Sequence, residues 1–104
     1  MDPATWQTIN RLVEWLDANS TNSHEVTRLL RVLKIQEEAG EVAEAVHGAM
    51  GSNPRKGASH TWADVEKELC DVILTSMVSL ATINLDAQKL FEHHLNAVAE
   101  RSLA

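Results

Sequence analysis

Leu33–Gly57 reads LKIQEEAGEVAEAVHGAMGSNPRKG. It sets Glu37, Glu38, Glu41 and Glu44 within eight residues and closes on a loop of Gly, Ser, Asn, Pro, Arg and Lys. The acidic part is the second half of a helix read from about His24 to Met50, with Asn22 or Ser23 as its cap. Stepping round it at about 100° per residue gives two apolar stripes. Val26, Leu29, Leu30 and Leu33 form one; Val32, Ile35, Ala39, Val42 and Val46 form the other. The first stripe, continued down the helix, meets Glu37, Glu41 and Glu44, with Glu38 at its edge and Lys34 one turn above Glu38. A helix apolar on two sides is expected to be sandwiched between neighbours.

Three further helices follow from the same reading. One runs from about Pro3 to Ala18, capped by Asp2 with Pro3 in the first helical position. GSNPRKGAS is a loop, punctuated by Gly and Pro. Thr61 then opens a third helix with Asp64 three residues on, a capping-box pattern, and this helix reaches about Ile83. A fourth spans roughly Asp86 to Ser102. No segment alternates with period two, so no sheet is expected. The third helix is apolar almost all round. Its one polar line is Asp64, Glu68, Asp71, Thr75, Ser79 and Thr82. Such a helix is expected to be mostly buried, and buried carboxylates are rare unless paired or bound to a cation. The loop lets it turn back antiparallel on the second helix, so Glu68 and Asp71 face the carboxylates there.

Two acidic faces repel. At an effective dielectric near 20, unit charges about 5 Å apart cost on the order of 3 kcal/mol per pair. Proton sharing relieves that, and a divalent cation relieves it better. Hard cations take oxygen ligands, and Mg²⁺ binds a few carboxylates together with waters and phosphates. With no cysteine cluster and no histidine pair at ligand spacing, Mg²⁺ or Mn²⁺ is favoured over zinc. A di-iron centre needs Glu-x-x-His on two helices; Glu44–His47 supplies one, but the third helix has ELCD instead. His47 reads as a helix-end residue near the negative end of the dipole.

The wider composition narrows the function. The 104 residues suit a single domain, residues 1–104, and a chain this short often associates to complete its core. A net charge of −6 argues against a nucleic-acid or anionic-membrane surface. The lone Cys70 excludes an internal disulfide and a cysteine-rich zinc site, points to a reducing cytoplasm, and reads as a small core residue. No apolar run is long enough to span a bilayer, and MDPATWQTIN has no signal-peptide pattern.

EEAGE followed by ELCD resembles the EExxE…ExxD pattern of the MazG-like all-α nucleoside triphosphate pyrophosphohydrolases, a superfamily that also holds dUTPase-like and phosphoribosyl-ATP pyrophosphohydrolases. The resemblance covers about Arg28 to Arg101. It implies a MazG-like helical bundle of about four helices; the two-faced second helix, which one protomer cannot cover on both sides, predicts its completion as a homodimer or homotetramer. It implies metal ligation by Glu38, Glu41, Glu68 and Asp71, with Glu37 matching the first acid and accepting the proton of the attacking water or supporting a second metal. Lys34 matches a basic position suited to phosphate. The implied reaction is NTP plus water giving NMP plus pyrophosphate, as nucleotide-pool house-cleaning. The alternatives are a dUTP-like or phosphoribosyl-ATP substrate, or a non-catalytic helical module that binds nucleotide or metal. Around this core, Asn53, Arg55 and Lys56 lie in a loop free to approach a polyphosphate. Trp62 is the tryptophan best placed to stack on a base, whereas Trp6 and Trp15 read as packing. In the last helix Asn96 and Arg101 match substrate-contacting positions, while His93 and His94 stand where related enzymes carry a lysine.

Overall fold

The computed structural model describes residues 2–103. They form four helices, α1 (Pro3–Ala18), α2 (His24–Met50), α3 (Trp62–Ile83) and α4 (Ala87–Leu103), and no sheet. Local chemistry sets their ends. Asp2 accepts the Thr5 N–H at 3.0 Å, which also holds the Asp2 carboxyl below its ordinary pKa. Ser23 accepts the Val26 N–H at 3.2 Å and starts α2. At the other end of α2 the chain turns through Gly51, whose φ of 63° is the left-handed conformation that glycine adopts without strain. There the Ser52 N–H reaches the His47 carbonyl and the Gly51 N–H reaches the Gly48 carbonyl, closing a Schellman motif. Thr61 and Asp64 form the reciprocal capping box: Thr61 N–H donates to Asp64 Oδ2 at 2.9 Å, and Asp64 N–H donates to Thr61 Oγ1 at 3.3 Å.

The helices divide into two compact units. One takes α1, the end of α3 from Met77 onward, and α4. Its core is conventional. Trp6, Ile9, Met77, Val78, Ala81 and Ala87 are buried together, with Val13, Leu16, Leu80 and Phe91 packed against them. Trp6 and Phe91 meet with ring centroids 6.1 Å apart at a tilt of 49°. The turn into α4 is an Asx turn in which the Asp86 N–H donates to Asn84 Oδ1 at 2.7 Å.

The other unit, Asn22–Ser76, pairs α2 with the first part of α3. Gly48 of α2 lies against His60 just before α3, and Glu38 and Glu41 lie beside Glu68 further along, so the two helices run antiparallel. A Cβ on Gly48 would sit 2.1 Å from His60 Nδ1 and 2.7 Å from Ser59 Oγ, so only glycine permits this close approach.

Burial in this unit corrects three expectations. On α2 the inward line runs through Thr27, Arg31, Ile35, Glu38, Val42, Ala45 and Ala49. Glu38 is therefore central to that line, not at its edge, and the stripe Val26, Leu29, Leu30 and Leu33 is exposed. On α3 the inward face is mixed: Val65 is buried and Asp64, Glu68, Asp71, Val72 and Thr75 are partly buried, whereas Leu69, Ile73 and Leu74 are exposed. So α3 is not mostly buried within one chain, because a single antiparallel partner covers only one face of it. Cys70, expected in the core, is exposed for the same reason.

Among the described residues no single helix is long and apolar enough to cross a membrane; α3 and α4 reach that length and apolarity only as a pair bent by 118°.

Candidate metal centre

Helical spacing brings the carboxylates together. Glu38 and Glu41, three residues apart, share a face of α2, and the antiparallel return of α3 sets Glu68 against them. One oxygen from each of Glu38, Glu41 and Glu68 lies within 4.8 Å of the other two. The three environments differ. The Glu38 side chain is only 12 % exposed, Glu41 is open to solvent, and Glu68 is between them.

Crowding has an electrostatic signature. The charge on Glu38, followed by a hydrogen bond to Glu68, raises the Glu41 carboxyl above its ordinary pKa. Glu68 Oε2 is buried and has no hydrogen-bond partner among the described residues. A proton on Glu41 gives Glu68 a donor. A cation meets the same need with more charge, since buried acceptors left unpaired are costly. The donor set is all oxygen, geometrically compact and partly shielded, so this glutamate cluster is capable of coordinating a metal ion.

The remaining residues picked out in the sequence are distributed unevenly. Lys34 Nζ lies 3.6 Å from Glu38 Oε1, one turn along α2. Glu37 is exposed and outside the cluster. Asp71 is also outside it; its Oδ2 is 3.7 Å from Lys67 Nζ. In the loop, Asn53 turns its carbonyl inward: its Oδ1 accepts the N–H groups of Arg55 and Lys56 at 2.9 and 3.4 Å, so this oxygen organises the turn. Arg55 and Lys56 themselves are exposed, and Trp62 is exposed at the start of α3. Asn96 and Arg101 are exposed on α4, which belongs to the Trp6 unit and not to the unit holding the carboxylates.

Two features were missed in the sequence. Lys67 lies 3.7 Å from Glu68 as well as from Asp71, and those two acids, Glu68 first, raise its pKa. The i, i+4 spacing of Lys67 and Asp71 was the available signal. A cleft of about 510 Å³ also opens beyond Glu44, lined by His47, Ser52, Asn53, Lys56 and Ser59 among others. There His47 Nδ1 and Ser52 Oγ are 2.9 Å apart, which places His47 at the helix end as its position suggested. No sequence signal announces the cleft, because it is formed by the path of the loop.

No curated protein and no solved structure matches the chain. Residues 7–97 match the phosphoribosyl-ATP pyrophosphohydrolase family, a span that contains both acidic motifs and most of all four helices. With the all-α fold and the Glu38–Glu41–Glu68 cluster already in place, that match is decisive: the chain belongs to the phosphoribosyl-ATP pyrophosphohydrolase family, within the MazG-like superfamily.

Proposed function

We propose that this protein is a metal-dependent pyrophosphohydrolase that cleaves the α–β phosphoanhydride of a nucleotide, with phosphoribosyl-ATP the first substrate to test. The family match favours that substrate over a general nucleoside triphosphate. The observation that carries the reaction is the convergence of Glu38, Glu41 and Glu68 oxygens within 4.8 Å. Those three glutamates hold the metal, Mg²⁺ or Mn²⁺ by the hardness of the oxygen donors, and Asp71 completes the set. What the cation supplies when bound is Lewis acidity toward the phosphates.

The chain's own groups do the rest. Glu37, exposed beside the cluster, takes the proton of the attacking water. The water oxygen bonds to the α-phosphorus, the bridging P–O bond breaks, and pyrophosphate leaves with that electron pair. Lys34, Arg55 and Lys56 offset phosphate charge, and the Asn53 amide nitrogen remains available as a donor. Trp62 presents a ring face to the base. A broader role in clearing surplus nucleoside triphosphates is the second reading. It is supported by EEAGE and ELCD occurring in order, the pattern shared across the superfamily.

We also propose that the chain functions as one domain in a homodimer or homotetramer. The exposed apolar face of Val26, Leu29, Leu30 and Leu33 on α2 and of Leu69, Ile73 and Leu74 on α3 supports this. Light scattering is expected to give a dimer or larger, and the double variant L29E/I73E a monomer; a monomeric wild type refutes it.

The test of activity is a product assay. Purified protein meets phosphoribosyl-ATP, dUTP and the common nucleoside triphosphates, with Mg²⁺, Mn²⁺ or EDTA. Metal-dependent release of pyrophosphate with the matching monophosphate is expected, fastest on phosphoribosyl-ATP. Turnover of all triphosphates alike moves the assignment to the second reading. No turnover with metal bound leaves a non-catalytic binding module.

A further inference from the structure

The Glu38–Glu41–Glu68 cluster is flanked by two ammonium groups that arrive from different helices. Lys34 of α2 is the one its motif position suggested. Lys67 of α3 is not. It directly precedes Glu68 and stands one turn before Asp71, and its Nζ lies 3.7 Å from Glu68 Oε1 and 3.7 Å from Asp71 Oδ2. The same lysine therefore touches one acid inside the cluster and one acid outside it. Its side chain is 71 % exposed, so the two contacts are held by charge and not by burial.

Charge counting explains why a cation sits there. Glu38, Glu41, Glu68 and Asp71 bring four formal negative charges into one region, and Lys34 and Lys67 return two positive ones. Glu68 still has a buried Oε2 without a donor, so the lysines leave the cluster incompletely satisfied. A divalent ion placed among the glutamates brings that formal count to zero. The Lys67 ammonium then repels the ion and competes with it for Glu68 and Asp71. Asp71 sets its Oδ2 against Lys67 and stands outside the cluster.

We propose that Lys67 is the resident counter-ion of the metal-free centre, holding Asp71 outside the glutamate cluster, and that metal loading displaces it. This inference rests on the metal-site reading above and adds a residue that sets metal affinity. Lys67 is a positioning residue. Once released from Asp71, its ammonium is a free positive group at the edge of the centre, available to the phosphates of a nucleotide.

Mn²⁺ titration by calorimetry on full-length wild type, K67M and K67R tests it, with thermal melts with and without Mn²⁺. K67M is expected to bind Mn²⁺ roughly three- to fivefold more tightly, the range that an exposed ion pair supports. Its metal-free melting temperature falls, its metal-induced rise grows, and K67R stays close to wild type. The affinity gap narrows in high salt, because exposed charges are screened. A purely structural role for Lys67 predicts the opposite sign, weaker binding in step with lost stability. Equal or weaker binding by K67M, with wild type binding normally, overturns the role of Lys67 and leaves the metal site standing. Absence of Mn²⁺ binding in wild type and K67M alike overturns both.

Discussion

The two units of this chain solve opposite problems with the same element. The unit built on α1, the end of α3 and α4 buries apolar side chains and exposes polar ones, with Trp6 only 2 % exposed. The unit built on α2 and the start of α3 turns Glu38 and Glu68 inward and leaves Leu29, Leu30, Leu33 and Ile73 at half exposure or more. One unit is organised for stability by the hydrophobic effect. The other gives up part of that stability to hold like charges together, an arrangement expected where a charged ligand completes the structure. A single helix, α3, contributes to both, and its polar line changes character along its length: Ser79 and Thr82 are buried hydroxyls, Thr82 Oγ1 donating to the Val78 carbonyl at 2.7 Å, whereas Glu68 and Asp71 are partly buried carboxylates.

That contrast can be broken from the apolar side first. W6A is expected to cost about 3–5 kcal/mol in urea-monitored unfolding, as for other buried aromatic truncations. A loss near zero would show that the Trp6 cluster is not what holds its unit together. W6F should cost much less, since Trp6 Nε1 is buried without a hydrogen-bond partner among the described residues and its removal forfeits no bond.

From the acidic side the sign reverses. E41Q is expected to lower metal-dependent turnover by more than the roughly 10–100-fold that losing a residue behind a metal ligand costs. In metal-free buffer at neutral pH it should melt at or above the wild-type temperature, because it removes repulsion from Glu38. The pH dependence follows. Glu41 has its folded pKa raised, so its protonation stabilises the fold; this contribution is complete below the unfolded value, about 4.5, and is lost as pH rises through the folded one. The wild type should therefore gain on E41Q as pH falls from neutrality toward about 4.5. A difference that stays flat on acidification would argue that Glu41 is not crowded.

Two smaller effects sharpen the picture of how the acidic unit is closed. G48A should cost about 1–3 kcal/mol, because the new methyl group collides with His60 and Ser59 and pushes the loop from α2. Its expected companion is weaker metal binding, since the loop sets the register of Glu68 against Glu38. T61A should cost about 1 kcal/mol through loss of the cap on α3, with metal affinity unchanged. Equal effects of both variants on metal binding would mean that loop position does not set the centre.

Much of this was legible beforehand. The helix limits follow from caps and breakers within a few residues: Asp2, Ser23, the Gly51 turn, and the Thr61–Asp64 box. That acids of α2 meet Glu68 of α3 followed from helical spacing and the antiparallel return, whereas the set Glu38, Glu41, Glu68 and Asp71 was implied by the motif resemblance; the first three of these converge. Hydropathy read two apolar stripes on α2 and did not say which of them the chain itself covers; Leu29, Leu30 and Leu33 are exposed in the single chain, and Glu38, read at the edge of their stripe, lies on the covered one. The stripe Ile35, Glu38, Val42 won because it is the one that α3 packs against.

The sequence by itself determined the all-α class, the number and ends of the helices, and the presence of an acid set on two of them. These depend on contacts within four residues, where each side chain acts on its own backbone. Only the tertiary structure decided that Glu38, Glu41 and Glu68 converge while Glu37 and Asp71 stand outside, and that on α2 the stripe through Ile35 and Val42 is covered while the one through Leu29 and Leu33 is exposed. Those outcomes depend on which helix lies opposite and in what register. Such choices are made by the packing of whole faces, and no local spacing records them.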